Sequence, residues 1–188
     1  MTKVAIAYHS GFGHTEKQAK HVQIGANSVK DVVADLFKVD EIMDNLEQLN
    51  DYDAIIFGSP TYMGSVSAPF KSFMDASAKL WFNQQWKNKV AAGFTNSHSM
   101  SGDKLNTLVQ MSIFAMQHSM IWVGLGEMNQ SPDGKPAHFE AINRIGSFLG
   151  AMAQSENESP DITPPIGDLK TAELLGKRVA ELTKKIKS

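Results

Sequence analysis

The chain turns sharply at Ser10-Gly11-Phe12-Gly13-His14-Thr15, directly after the apolar run Lys3-Val4-Ala5-Ile6-Ala7-Tyr8. A short strand enters a turn of two glycines and two hydroxyls, and a helix leaves it. Few other local patterns restrict a fold as much. Glycine lets the main chain approach a bound group closely. The N–H groups of such a turn and the positive end of the helix dipole point at an anion. Ser10 and Thr15 add hydroxyl donors, and the turn carries no Lys or Arg. That donor set suits one phosphate monoester better than a triphosphate with magnesium. A tight turn without a ligand is the alternative, and the loop alone does not decide between them.

Apolar runs and helical patterns alternate along the rest of the chain. Strands are predicted at Lys3–Tyr8, Val32–Val39, Ala54–Phe57, Val90–Phe94 and Met120–Gly124. They are short and continuously apolar, as strands covered on both faces are. Helices are predicted at His14–Asn27, Glu41–Leu49, Ala68–Leu80, Asp103–Gln117 and Leu169–Lys187. In the last, Leu175, Val179, Leu182 and Ile186 recur at helical spacing, and Lys184, Lys185 and Lys187 sit near the negative end of the dipole. Strand–helix alternation implies βαβ crossovers and a mainly parallel sheet. Five strands predict a doubly wound α/β fold of order 2-1-3-4-5. Gln154–Asp168, polar and carrying Pro160, Pro164 and Pro165, is an irregular connection, and Pro132-Asp133-Gly134 marks a turn within Gln130–Pro136.

The 188 residues, 42% hydrophobic, are enough for one domain over 1–188 with its own core. A net charge of −2 gives no pull toward nucleic acid or acidic membranes. The absence of cysteine excludes disulfides, iron–sulfur clusters, thiolate catalysis and Cys zinc sites, and no metal is expected. No stretch reads as a signal peptide or membrane span, so a soluble cytoplasmic protein is expected. Dinucleotide binding is disfavoured because Glu16 stands where a third glycine of the G-x-G-x-x-G pattern belongs. Asp40 and Glu41 after the second strand are only weak evidence for a ribose contact.

Two more loops leave the same side of such a sheet. Gly58-Ser59-Pro60-Thr61-Tyr62-Met63-Gly64-Ser65 follows the third strand, and Thr95-Asn96-Ser97-His98-Ser99-Met100-Ser101-Gly102 follows the fourth. In a doubly wound fold all three loops surround the switch point where ligands bind. They supply small hydrogen-bonding groups and one aromatic, which fits a planar heterocycle tethered to one phosphate. Each loop taken singly reads as an ordinary solvated loop, but jointly they point to a cofactor site.

Three segments, Ser10–Thr15, Tyr52–Gly64, and Phe94–Gly102 with His118-Ser119-Met120, resemble the WrbA-type NAD(P)H:quinone oxidoreductases over most of residues 3–125. The resemblance implies a flavodoxin-like fold, bound FMN, NAD(P)H as electron donor, and a quinone or similar small flat molecule as acceptor. It places the FMN phosphate on Ser10, Gly11, Phe12, Gly13, His14 and Thr15. Pro60, Thr61, Tyr62 and Met63 would line the isoalloxazine with Asn96, Ser97, His98, Ser99, Met100 and Ser101. Phe12 would meet the nicotinamide, Trp81 the substrate, and His118 would act on the quinone oxygen, since an ordinary imidazole pKa of about 6.5 allows proton donation near neutrality. Tyr62 departs from the family pattern, which has a basic residue there. His98 and Met100 stand in a loop usually richer in glycine.

Trp81 follows the third helix and His118 the fourth, each just before a strand. Crossover helices run back from the carboxyl edge, so both residues belong at the amino edge, a full domain thickness from their own flavin. They are therefore expected to act in trans, in a homodimer or homotetramer. The alternative is packing aromatics at Trp81 and Trp86 and a helix-end cation at His118. Ping-pong turnover is expected, with donor and acceptor using one place in turn. The main rival is a flavodoxin-type electron carrier, a class typically far more acidic than this chain. An azo- or nitro-reducing FMN enzyme and a flavin-free scaffold are the others.

Overall fold

The computed structural model describes residues 1–135 and 138–187, so Pro136, the end of the predicted turn segment, lies outside the described residues. Its centre is a twisted parallel sheet. Strands β1 (Thr2–Tyr8), β2 (Val32–Lys38), β3 (Ala54–Tyr62) and β5 (Val90–Ser97) lie in the order β2-β1-β3-β5. A short β4 (Ser65–Val66) pairs antiparallel with the end of β3. The far edge is built from two pieces, β6 (Ile121–Trp122) on the start of β5 and β7 (Ala151–Gln154) on its end. The doubly wound prediction holds, with its fifth strand divided in two.

Strand alternation assigns each side chain to one of two cores. Val4, Ile6, Tyr8, Ala54 and Ile56 pack with Ala19, Val22 and Ala26 of helix α1 (His14–Asn27) and with Ala172, Leu175, Val179 and Ala180 of helix α5 (Ile166–Lys187). Ala5, Ala7, Ile55 and Phe57 face the other way. They pack under a 3-10 turn (Leu46–Asp51), α2 (Ala68–Ala76), α3 (Ala78–Phe82) and α4 (Lys104–Gln117). Helices α1 and α5 touch at their backbones. A Cβ on Gly176 would stand 2.0 Å from the Val22 carbonyl oxygen, so glycine is required there. No helix among the described residues is long and apolar enough to cross a membrane.

Four local expectations fail for physical reasons. The helix predicted at Ala68–Leu80 breaks at Ser77, whose hydroxyl donates back to the Met74 carbonyl (2.7 Å) and meets His118 Nε2 (2.9 Å). The helix predicted at Glu41–Leu49 is a turn through residues 40–45 followed by the 3-10 segment. The strand predicted at Met120–Gly124 leaves the sheet after Trp122, where the indole ring packs over Gly93 and its N–H bonds the Leu149 carbonyl (2.9 Å). The chain returns only at Ala151. The third and fourth strands run beyond Phe57 and Phe94, because Gly58–Pro60 stays paired with Phe94–Asn96.

Candidate active site

The carboxyl ends of β1, β3, β5 and β7 surround a cleft of about 500 Å3. Four chain segments line it: Ser10, Phe12, His14 and Thr15; Pro60, Thr61 and Tyr62; Asn96, Ser97 and His98; and Ser155 to Glu158. Three are the predicted loops. The fourth was not anticipated. Residues 155–158 belong to the polar Gln154–Asp168 connection, and the run Ala151-Met152-Ala153 before them is too poor in branched side chains to read as a strand.

The first loop is held open by Ser10. Its Oγ accepts the N–H groups of Gly13 and Glu16, both at 3.1 Å, which curls the turn and starts α1. Gly13 has φ +90°, a left-handed conformation open to glycine, and a Cβ there would lie 2.6 Å from Pro160 Cγ. Among the described residues, the N–H groups of Phe12, His14 and Thr15 have no protein acceptor. These donors at the positive end of a 14-residue helix, with the Thr15 hydroxyl, fit a single phosphate. No Lys or Arg lines the cleft among the described residues, and Glu156 and Glu158 do. Two carboxylates beside the cradle oppose a more highly charged anion. His14 Nε2 meets the Glu158 carbonyl (2.9 Å) and Lys17 Nζ donates to the Asp161 carbonyl (2.9 Å), pinning this last segment beside the loop.

The walls are shaped for a flat ring. Exposed Phe12 meets Tyr62 edge to face at 6.3 Å. Burial raises the Tyr62 phenol, opposed by a hydrogen bond from the Gly11 main chain, so the hydroxyl is neutral. Thr61 Oγ1 contacts the hydroxyls of Thr95 (2.7 Å) and Thr107 (2.8 Å), a buried triad that fixes the end of β3. Ser155 Oγ donates to Asn96 Oδ1 (3.0 Å), joining the ends of β5 and β7.

Not every predicted residue faces this cleft. Met63 sits at the tip of the β3–β4 turn with φ +48°, fully exposed. The Ser99 carbonyl turns inward, and Met100 and Ser101 line a separate hollow with Leu105 and Phe148. Gly11 and Gly13 contribute backbone only. Trp81 and His118 stand together at the amino edge, in a concavity of about 510 Å3 that shares no residue with the cleft. The Ser119 carbonyl accepts the Asn88 N–H just before β5 begins, which fixes His118 at that edge. His118 is 3% exposed, and its ring lies 4.4 Å from Trp86 and 4.8 Å from Phe114. Burial lowers its pKa to about 4. The expectation of a proton donor with an ordinary pKa is therefore corrected: at neutral pH this imidazole is uncharged.

A doubly wound sheet with a mononucleotide-sized cleft at its switch point defines a flavodoxin-like protein. Residues 9–131 match the NADPH-dependent FMN reductase family, and the chain belongs to that family. It is 40% identical over 184 residues to the Flavodoxin FldP of Pseudomonas aeruginosa, spanning 97% of each chain. It is 35% identical over 208 residues to an NAD(P)H dehydrogenase (quinone) of Archaeoglobus fulgidus, covering 99% of this chain and 100% of that one. Among solved structures, a flavodoxin, WrbA-like protein from Agrobacterium tumefaciens superposes with a TM-score of 0.75 at 38% identity, over 98% and 99% of the two chains.

Proposed function

We propose that the cleft holds FMN and that the chain is an FMN-dependent NAD(P)H:quinone oxidoreductase, passing two electrons to quinones or similar flat acceptors. One observation carries the reading. A turn with three N–H groups that have no acceptor among the described residues meets two strand ends of small polar residues and an exposed aromatic pair at one sheet edge. Bound FMN supplies the hydride and electron chemistry. The N–H groups of Phe12, His14 and Thr15 and the Thr15 hydroxyl hold the phosphate. Thr61 and Asn96, fixed by their neighbours' hydroxyls, would border the flavin ring. Phe12 and Tyr62 offer faces on which the nicotinamide and then the acceptor stack in turn.

Trp81, half exposed at the opposite edge, reaches a flavin only in a second copy of the chain. The trans arrangement is therefore part of the proposal, in a homodimer or homotetramer. His118 enters it as a neutral imidazole that backs the Trp81 hollow. A monomeric variant that reduces quinone normally with its flavin bound would exclude this. A soluble cytoplasmic setting completes the reading.

The test is the visible spectrum of the purified protein before and after addition of FMN, then after NADH without oxygen. Retained flavin that bleaches directly, with parallel initial-rate lines for donor and acceptor, supports the proposal. A colourless protein that takes up no FMN overturns it. The 40% identity to a protein named flavodoxin favours one second reading, a carrier that docks on redox partners. A first titration phase that consumes one electron per flavin, with no reduction by NADH or NADPH, selects the carrier.

A further inference from the structure

Behind the 97–100 loop lies a group of charges that the reading above does not use. Lys104, the first residue of α4, is completely buried. Its ammonium donates to the Ser99 carbonyl (2.6 Å) and to Ser97 Oγ (2.9 Å). Arg144, carried by the excursion between β6 and β7, forms a fork with Asp168 at the start of α5, Nε to Oδ1 at 2.7 Å and Nη2 to Oδ2 at 2.9 Å. Both side chains of that pair are 1% exposed. Arg144 Nη2 also holds Gln154 Oε1 (2.9 Å), and Gln154 Nε2 holds the His98 carbonyl (2.9 Å).

Two physical consequences follow. In a trans peptide the N–H points opposite to the C=O of the same unit. With the His98 and Ser99 carbonyls drawn to Gln154 and Lys104, the N–H groups of Ser99 and Met100 point away from the charges, to the exposed side of the loop. Neither has a protein acceptor among the described residues. The second consequence is charge. Two buried cations and one buried carboxylate leave one net positive charge, which solvent screens poorly there. Burial pushes the Lys104 ammonium down to about 8, with Asp168 raising it and Arg144 lowering it further, so it stays largely protonated at neutral pH. Ser97 itself lines the cleft, so that ammonium stands one hydrogen bond behind the cleft wall.

A buried ammonium is a costly way to close a loop that a neutral donor could close. Its distinctive effect is electrostatic. Hydride transfer to a flavin leaves negative charge on the pyrimidine side of the ring, while the oxidised ring is neutral. We propose that Lys104 is a positioning residue whose buried charge, one hydrogen bond behind the cleft wall at Ser97, makes the cleft hold reduced FMN more tightly than oxidised FMN. The proposal rests on the flavin-binding reading above.

The experiment uses the FMN-loaded protein and the variants Lys104→Gln, Lys104→Met and Lys104→Arg. Two quantities are measured: the dissociation constant of oxidised FMN, by fluorescence, and the two-electron midpoint potential, by spectroelectrochemistry. Lys104→Gln keeps a donor for the Ser99 carbonyl and loses the charge. It should weaken binding of reduced FMN about tenfold more than of oxidised FMN, a fall in midpoint of about 30 mV for a two-electron couple. Lys104→Met should do the same with an added loss of oxidised-FMN affinity, and Lys104→Arg should keep the midpoint. If Lys104→Met does not fold, the Gln and Arg pair still decides. An unmoved midpoint with both flavin forms weakened alike assigns Lys104 to loop support alone and overturns this inference, leaving the cofactor assignment standing. A wild-type protein that binds no FMN removes both.

Discussion

The two edges of the sheet put the same kinds of residue to opposite uses. At the carboxyl edge the polar groups outnumber their partners. Among the described residues, three backbone N–H groups, the Thr15 hydroxyl and the faces of Phe12 and Tyr62 are left open around a cleft. At the amino edge Trp86, Phe114 and His118 are packed against each other. His118 is wedged between Trp86 and Phe114, Ser77 takes its Nε2, and its Nδ1 is buried with no partner among the described residues. Unsatisfied donors at a helix start mark a place made for an anion, because solvent or a ligand can reach them. An unsatisfied imidazole nitrogen walled off by packed rings marks a side chain held neutral. Residue type alone does not distinguish a binding group from a packed one. Access to the open atom does.

The contrast breaks most severely at Gly13. Gly13→Ala imposes a Cβ on φ +90° and drives it toward Pro160, at both the loop and the segment over it. FMN affinity should fall by about 100-fold, in line with the strain of a non-glycine residue in that conformation, while far-UV circular dichroism stays unchanged. A variant that keeps its FMN would show that the cradle is not where the phosphate sits.

The opposite edge answers to pH. With a folded pKa of about 4 and an ordinary value near 6.5 when unfolded, the unfolded state binds the His118 proton first. Stability from this group is complete above pH 6.5 and is lost as pH falls through 4, at most roughly 3 kcal/mol. Urea midpoints at pH 7.5 and 4.5 should diverge less in His118→Gln than in the wild type, with FMN affinity at pH 7.5 the same in both. Equal acid sensitivity in the two proteins would contradict the burial of that imidazole.

Most of this contrast is legible in the sequence, and the gaps have causes. The Ser10–Thr15 turn announces itself because glycines, hydroxyls and a strand-to-helix junction coincide. The edge on which Trp81 and His118 fall follows from crossover topology alone. Residues 155–158 carry no such mark because Ala151, Met152 and Ala153 lack the branched side chains that signal a strand at this edge of the sheet. Ser77 hides a helix break, since its second hydrogen bond goes to a residue 41 positions away. Lys104 at a helix start reads as a solvated cation. Only the folded loop, whose Ser97 hydroxyl and Ser99 carbonyl take the ammonium, reveals it as buried.

A smaller effect tests whether the edges cooperate. Trp81→Ala removes a half-exposed ring, so stability should change by less than about 1 kcal/mol. In the trans arrangement kcat/KM for a quinone should still fall about tenfold, the cost of losing one stacking face, with FMN affinity untouched. Unchanged quinone kinetics would return Trp81 to surface packing and leave the two edges independent.

The mildest change sharpens the picture at the cleft itself. Tyr62→Phe keeps the aromatic face that meets Phe12 and deletes only the hydroxyl hydrogen-bonded by the Gly11 main chain. A neutral hydrogen bond at a partly exposed site contributes about 0.5–1.5 kcal/mol. FMN affinity should therefore drop about threefold, with KM for NAD(P)H nearly constant because the stacking surface survives. If KM for the nicotinamide rises while FMN affinity holds, the hydroxyl faces the substrate side. The Gly11–Tyr62 contact would then belong to acceptor recognition, not to the shape of the phosphate loop.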